Sequence, residues 1–297
     1  MKFSRELQLP VLPEKETEKN RNIRNAYVGI PETGILIHHG LQFVPDLKKA
    51  VLTELFRGRP EISTDITKEE QAMVSALCPT NAFEKEPFCL NLGKCVFCKE
   101  CQFALPDKIR FTNDYKLATN DPEMLKIYPG QKEPIRFNDE LRRKEVRKLF
   151  RKSLKLRQVS AGGDNSCEME LNASGNVNFD MGRYGIEFVA SPRHADGMVI
   201  TGPVTENMAE AIRITWEAIP APKICILAGV DAVSGGIFAN SPALNRKIVE
   251  PVTDCKSAPG QEIKSTPGNN IKVDLYVPGN PCHPLTFING VLSLIGR

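Results

Sequence analysis

The chain has 297 residues, 41% of them hydrophobic and 25% charged, which leaves room for two compact cores and excludes a disordered or fibrous polymer. A formal net charge of +3 with 7% aromatic residues does not point to nucleic acid as the main partner, and none is expected. The opening MKFSRELQLP is charged where a secretory signal needs an apolar run, and no stretch reaches the roughly 20 apolar residues of a membrane span, so a cytoplasmic chain with only indirect membrane contact is expected.

Residues 1–46 read as an N-terminal arm, a charged opening followed by the apolar stretch Tyr27 to Ile37. Residues 47–120 combine short elements with dense cysteines and read as a small cluster-binding domain, with helices expected at Leu47 to Arg57 and Lys68 to Leu77. Residues 121–157 read as a linker. Within it, 139–157 (DELRRKEVRKLFRKSLKLR) puts Val146, Leu149, Phe150 and Leu154 at helical spacing with Arg and Lys on the other face, predicting a basic amphipathic helix. Such a face suits an acidic partner or anionic lipid; a solvated surface is the plainer account of the charge run.

From 158 to 297 apolar β-rich runs alternate with helical stretches: Gly197 to Thr201 (GMVIT), the helix Glu206 to Ala218, and Lys223 to Ala228 (KICILA). That is α/β patterning with a mostly parallel sheet. The turn Ser234, Gly235, Gly236 follows a strand where such folds place ligands, but it is no GxGxxG fingerprint and supports nucleotide binding only weakly.

Nine cysteines in a reducing compartment point to metal rather than disulfides, and an odd number cannot all pair internally. Bacterial-type ferredoxins use C-x2-C-x2-C-x3-C-P, three cysteines holding one cluster and the fourth holding its neighbour. Here Cys95, Cys98 and Cys101 (CVFCKEC) form one triplet, and Cys78 before Pro79 supplies the remote ligand. The second site of that pattern would need cysteines at Lys68, Gln71, Val74 and Leu105, and has none of them. One complete site and one wholly lost site predict a single 4Fe-4S cluster on Cys78, Cys95, Cys98 and Cys101. Zinc also accepts C-x2-C, but its four-cysteine sites pair two such knuckles and have no use for a third cysteine at the same interval. Cys89, Cys225 and Cys255 fall outside the motif and read as packed or loop thiols. His194 reads as a structural hydrogen-bonder, and the adjacent His38 and His39 would point apart in an extended segment.

These residues resemble a family. FRGRPEIS, CPTNAF, CLNLGKCVFCKEC and FTNDYKLA resemble the ferredoxin-type module of energy-converting hydrogenase and complex I assemblies. SLKLRQVSAGGDNSCEMEL, FDMGRYGIEFVASPRHADGMVITGPVT, PKICILAGVDAVSGGIF and YVPGNPCHPLTFINGVLSL resemble the complex I 20 kDa subunit and the small subunit of group 4 NiFe hydrogenases. The resemblance implies an α+β ferredoxin-like N-terminal domain followed by an α/β flavodoxin-like domain with a mostly parallel sheet. It also implies a second 4Fe-4S site beside a large subunit. At that site's four positions this chain has Asp164, Cys167, Asp231 and Asn280, and hard oxygen donors hold an iron-sulfur cube poorly, so no ordinary cluster is expected there. Cys282 lies two residues past the expected position; the alternative is that Cys167, Cys282, Asp164 and Asp231 hold a different metal.

The function implied is a non-catalytic, iron-sulfur electron-transfer subunit docked on a hydrogenase-like or complex I-like large subunit and other subunits, at the cytoplasmic face of a membrane. The alternatives are a structural or assembly subunit that has lost its relay role, and a small-molecule or nucleotide binder using the Gly-rich turn.

Overall fold

The computed structural model describes residues 43–249 and 270–297, so most of the expected arm, with His38 and His39, and the loop thiol Cys255 lie outside the described residues. Short antiparallel strands dominate the first part: β1 (Pro60–Ile62), β2 (Phe83–Lys85), β3 (Phe88–Asn91), β4 (Ile109–Phe111) and β5 (Lys126–Ile127). β1 pairs with β4, and β3 lies between β2 and β5.

Two short helices sit among them, α1 (Lys68–Leu77) and α2 (Glu100–Ala104). α1 begins where Thr67 and Glu70 satisfy each other's backbone amides, at 3.2 Å and 2.8 Å. It ends at Cys78 because Pro79 disfavours helical geometry at the residue before it, and Cys78 is accordingly extended. The helix expected over Lys68 to Leu77 is therefore present.

The helix expected over Leu47 to Arg57 is not; that segment is a series of turns. Its carbonyls are claimed by side chains from elsewhere. Leu47 O accepts from the Tyr115 hydroxyl at 2.8 Å and from Asn289 Nδ2 at 2.9 Å, and Leu52 O accepts from Asn113 Nδ2 at 3.0 Å. Val51 and Leu55 are left 91% and 86% exposed.

The basic helix is shorter than expected. α3 covers Lys144–Phe150 and buries Val146 and Phe150, but Leu149 is 56% exposed. Leu154 opens a strand instead, its amide donating to Gly185 O at 2.8 Å, so sheet pairing wins over helix propagation. Part of the basic face is also spent internally, Arg143 pairing with Glu145 and with the buried Asp274.

The sheet that starts there is wholly parallel: β6 (Leu154–Ser160), β7 (Ile186–Phe188), β8 (Gly197–Thr201), β9 (Ile224–Ala228) and β10 (Leu275–Val277), ordered β10-β9-β8-β6-β7. Read from β7, with β6 as the first strand in the chain, this is the 2-1-3-4-5 order of flavodoxin-like folds. GMVIT and ICILA are buried at every position because both faces of a central parallel strand are covered.

Four helices complete the unit: α4 (Ser166–Ala173), α5 (Glu206–Ala218), α6 (Val230–Ser234) and α7 (Pro284–Leu294). Alternation along the strands decides what covers each face. Met198, Ile200 and Leu227 share a core with Ile212 of α5 and with Ile62, Leu90 and Phe111 of the antiparallel part. Val199 and Ile226 point the other way, into a core with Leu171 of α4 and Phe287, Ile288 and Val291 of α7.

Candidate functional site

Cys78, Cys95, Cys98 and Cys101 line one recess, whose empty volume is about 300 Å³ counting the part open to solvent. Cys78 arrives from the end of α1, Cys95 and Cys98 from the loop after β3, and Cys101 from the first turn of α2. Phe83, Leu90 and Phe111 form apolar walls.

The loop is shaped so that backbone amides face sulfur. Ala82 N donates to Cys78 Sγ at 3.2 Å and Phe97 N to Cys95 Sγ at 3.3 Å. Asn81, Phe97 and Lys99 carry φ of 50°, 54° and 68°, a left-handed backbone that non-glycine residues seldom adopt without compensation. Sequence reading missed one contributor to that compensation, Arg57, whose guanidinium donates to Phe97 O at 2.8 Å. Its only signal was its place in the FRGRPEIS segment.

As free thiols the set is electrostatically frustrated. Burial pushes the Cys101 thiol up to about 12, and its neighbours Cys98 and Cys78 push the same way. Burial also drives Cys95 well above the ordinary thiol range, with Cys101, Cys78 and Cys98 adding to it. Four sulfurs within one another's field, in an apolar recess, form a donor set that a cationic group relieves, because only then are several thiolates tolerated together. Among the described residues no three His, Cys, Asp or Glu side chains converge as tightly as a single metal ion requires.

Cys89 is not part of this set. It sits in β3 beside Glu84, and burial, reinforced by that carboxylate, lifts its thiol to about 11. Cys225 is buried inside β9, and His194 is exposed at the end of a short turn.

The residues at the second family site lie beyond the carboxyl ends of β6, β9 and β10, but they do not fit a cluster. Asp164 Oδ1 is occupied by Ser166, accepting from its amide at 2.9 Å and its hydroxyl at 2.6 Å, and so serves the start of α4. Asp231 is 8% exposed and its Oδ1 has no hydrogen-bond partner. Burial, reinforced by Asp164, raises its carboxyl to about 6. Cys167 and Cys282 perturb each other: the Cys282 side chain holds the Cys167 thiol below the ordinary range, while Cys167 and burial push the Cys282 thiol well above it. In place of four convergent thiolates there is one thiol pair and two carboxyls with separate roles. The Gly-rich turn is filled from within: Ser234 Oγ donates to Val230 O at 3.2 Å, and a Cβ on Gly236 would meet Asp231 Oδ1 at 1.9 Å.

The sheet order and the strand-end loops define a flavodoxin-like α/β protein, preceded here by a four-cysteine segment. The chain belongs to the family described as NADH ubiquinone oxidoreductase, 20 Kd subunit, which it matches over residues 165–294. It is 34% identical over 139 residues to the probable membrane-bound hydrogenase subunit mbhJ of Pyrococcus furiosus, covering 47% of this chain and 72% of that one. Formate hydrogenlyase subunit 7 of Escherichia coli is 36% identical over 149 residues, 50% of this chain and 51% of that one. A subunit of the NADH-quinone oxidoreductase of Clostridium beijerinckii is 35% identical over 129 residues, 43% of this chain and 65% of that one.

Proposed function

We propose that this chain is an iron-sulfur electron-transfer subunit of a membrane-associated hydrogenase-like or complex I-like assembly, holding one 4Fe-4S cluster on Cys78, Cys95, Cys98 and Cys101 in a ferredoxin-like segment over residues 47–120. In this reading residues 121–157 connect that segment to the family domain at 158–297, which docks on the large subunit. The observation that carries it is the recess lined by all four thiols of the motif. A cluster held there supplies a one-electron couple and makes or breaks no substrate bond. The amides of Ala82 and Phe97 donate to ligand sulfurs, which favours the thiolate form and tunes the couple. Family membership supports the assembly, since the named relatives are subunits of a membrane-bound hydrogenase, formate hydrogenlyase and NADH-quinone oxidoreductase. No helix among the described residues is long and apolar enough to cross a membrane, and attachment through partner subunits on the cytoplasmic side fits that.

One observation favours a second reading, a structural or assembly subunit without a relay role: the family's own site has lost its ligand chemistry at Asp164, Asp231 and Asn280. Iron and acid-labile sulfide on anaerobically purified protein, with EPR of the reduced state, test both. The relay reading expects about four of each per chain, one spin system, and reoxidation of the reduced protein by its partner complex. Zinc in place of iron sinks it, and a cluster that no partner reoxidises leaves the structural role. Cys98→Ser should lose most of the iron, whereas Cys167→Ser should keep it; iron loss in the second variant overturns the assignment of the family site as cluster-free.

A further inference from the structure

The cluster-free family site holds something other than vacated space. Cys167 sits in the first turn of α4, and Cys282 sits just before α7, whose start is capped by His283 Nδ1 accepting from Leu285 N at 3.2 Å. The two helices pack side by side on the same face of the sheet, and both thiols border the same pair of loops: a Cβ on Gly279 would stand 2.7 Å from Cys282 Cα, and one on Gly229 3.6 Å from Gly279 O. The strand-end loops are built to admit them. Gly229, at φ 90°, lies so close that a Cβ there would stand 2.3 Å from Cys167 Sγ, and Val230 N ties its loop to Gly279 O at 2.8 Å.

We propose that Cys167 and Cys282 are a redox-active dithiol, converted by a peroxide to an intramolecular disulfide and restored by a small dithiol reductant. Their roles differ by exposure: Cys282 is fully buried, while Cys167 is 7% exposed and is the one a small oxidant reaches. The neighbouring Cys282 side chain and backbone hold the Cys167 thiol below the ordinary range against the opposing burial and the carboxylates of Glu168 and Asp231. Cys167 is thereby the nucleophile and Cys282 the resolving thiol.

The electrons balance in two steps. Cys167 thiolate attacks one peroxide oxygen, the O–O bond breaks, and the departing oxygen takes a proton to leave as water, so Cys167 becomes a sulfenic acid. Cys282 then attacks Cys167 Sγ, the S–S bond forms as the S–O bond breaks, and a second water leaves with the Cys282 proton. Two thiols have lost two electrons and two protons to one peroxide. Dithiol exchange reverses this.

The experiment uses the full chain, purified anaerobically, exposed to limiting hydrogen peroxide, denatured with alkylating agent and mapped by mass spectrometry. The expected result is a peptide joining Cys167 to Cys282, lighter than its parts by two hydrogens, with both thiols lost to alkylation and recovered after dithiothreitol. Cys225→Ser should still form it, and Cys167→Ser and Cys282→Ser should not. Separate alkylation of Cys167 and Cys282 after oxidation, or over-oxidation of Cys167 with no link, overturns the proposal; the wild-type map alone reads both outcomes, so a variant that fails to fold does not obscure them. Iron per chain, followed in the same samples, reports on Cys78, Cys95, Cys98 and Cys101, so failure of that site is seen apart from failure of this one.

Discussion

Asp231 shows how a single replaced residue changes what a site stores. Where the family has a ligand, this chain has a carboxyl that is buried, lacks a hydrogen bond on Oδ1, and faces Asp164 and Glu168 with only Arg246 to offset them. Its folded value of about 6 stands above the ordinary carboxyl value of 3.8, so the native state binds the proton more tightly than the unfolded chain. The stabilising contribution is complete below the unfolded value and is lost as pH rises through about 6. Asp231→Asn should therefore stabilise the protein by about 1–3 kcal/mol at pH near 7 and change little at pH near 4. Urea unfolding at the two pH values measures this, and equal effects at both would mean that Asp231 is solvated. The sequence shows that the ligand is missing at 231 and that its oxygen is a poor cluster donor. It does not show that Asp164 is spoken for by Ser166 or that Cys282 reaches Cys167, because both depend on how the strand-end loops turn.

Elements were legible where one local signal acted alone. The helix expected over Lys68 to Leu77 forms in full because nothing distant competes with its ends: in the structure Thr67 and Glu70 cap its start and Pro79 stops it at Cys78. Thr67→Ala should cost about 1 kcal/mol in urea unfolding by orphaning the Glu70 amide, and Thr67→Ser should restore most of it. No difference between Thr67→Ala and the parent would show the helix start held by tertiary contacts instead. The helix expected over Leu47 to Arg57 is absent and the one expected within 139–157 is cut short because distant partners compete: Tyr115 and Asn289 take the Leu47 carbonyl, and Gly185 takes Leu154 into the sheet. Neither competitor is near in sequence. The strands GMVIT and KICILA were legible because burial on both faces writes an uninterrupted apolar run.

At the scale of the molecule, the antiparallel part and the parallel sheet have separate hydrogen-bond ladders but a common core. Ile62, Leu90 and Phe111 pack in the same apolar cluster as Met198, Ile200 and Leu227, so exposing one side strips apolar cover from the other. Cooperative unfolding follows from such sharing, since neither sheet keeps its buried face alone. The sole tryptophan, Trp216, lies on α5 against that core, with Lys223 Nζ 4.6 Å from its ring centroid, and reports on the parallel half. The absorbance of the cluster proposed for Cys78, Cys95, Cys98 and Cys101 would report on the cysteine half. In denaturant under anaerobic conditions the two signals should change at one midpoint, and Cys98→Ser should lower the Trp216 midpoint although the two residues belong to different sheets' surroundings. If cluster absorbance disappears well before Trp216 responds, the four-cysteine segment unfolds by itself, and the common core contributes less to holding it than its own short strands do.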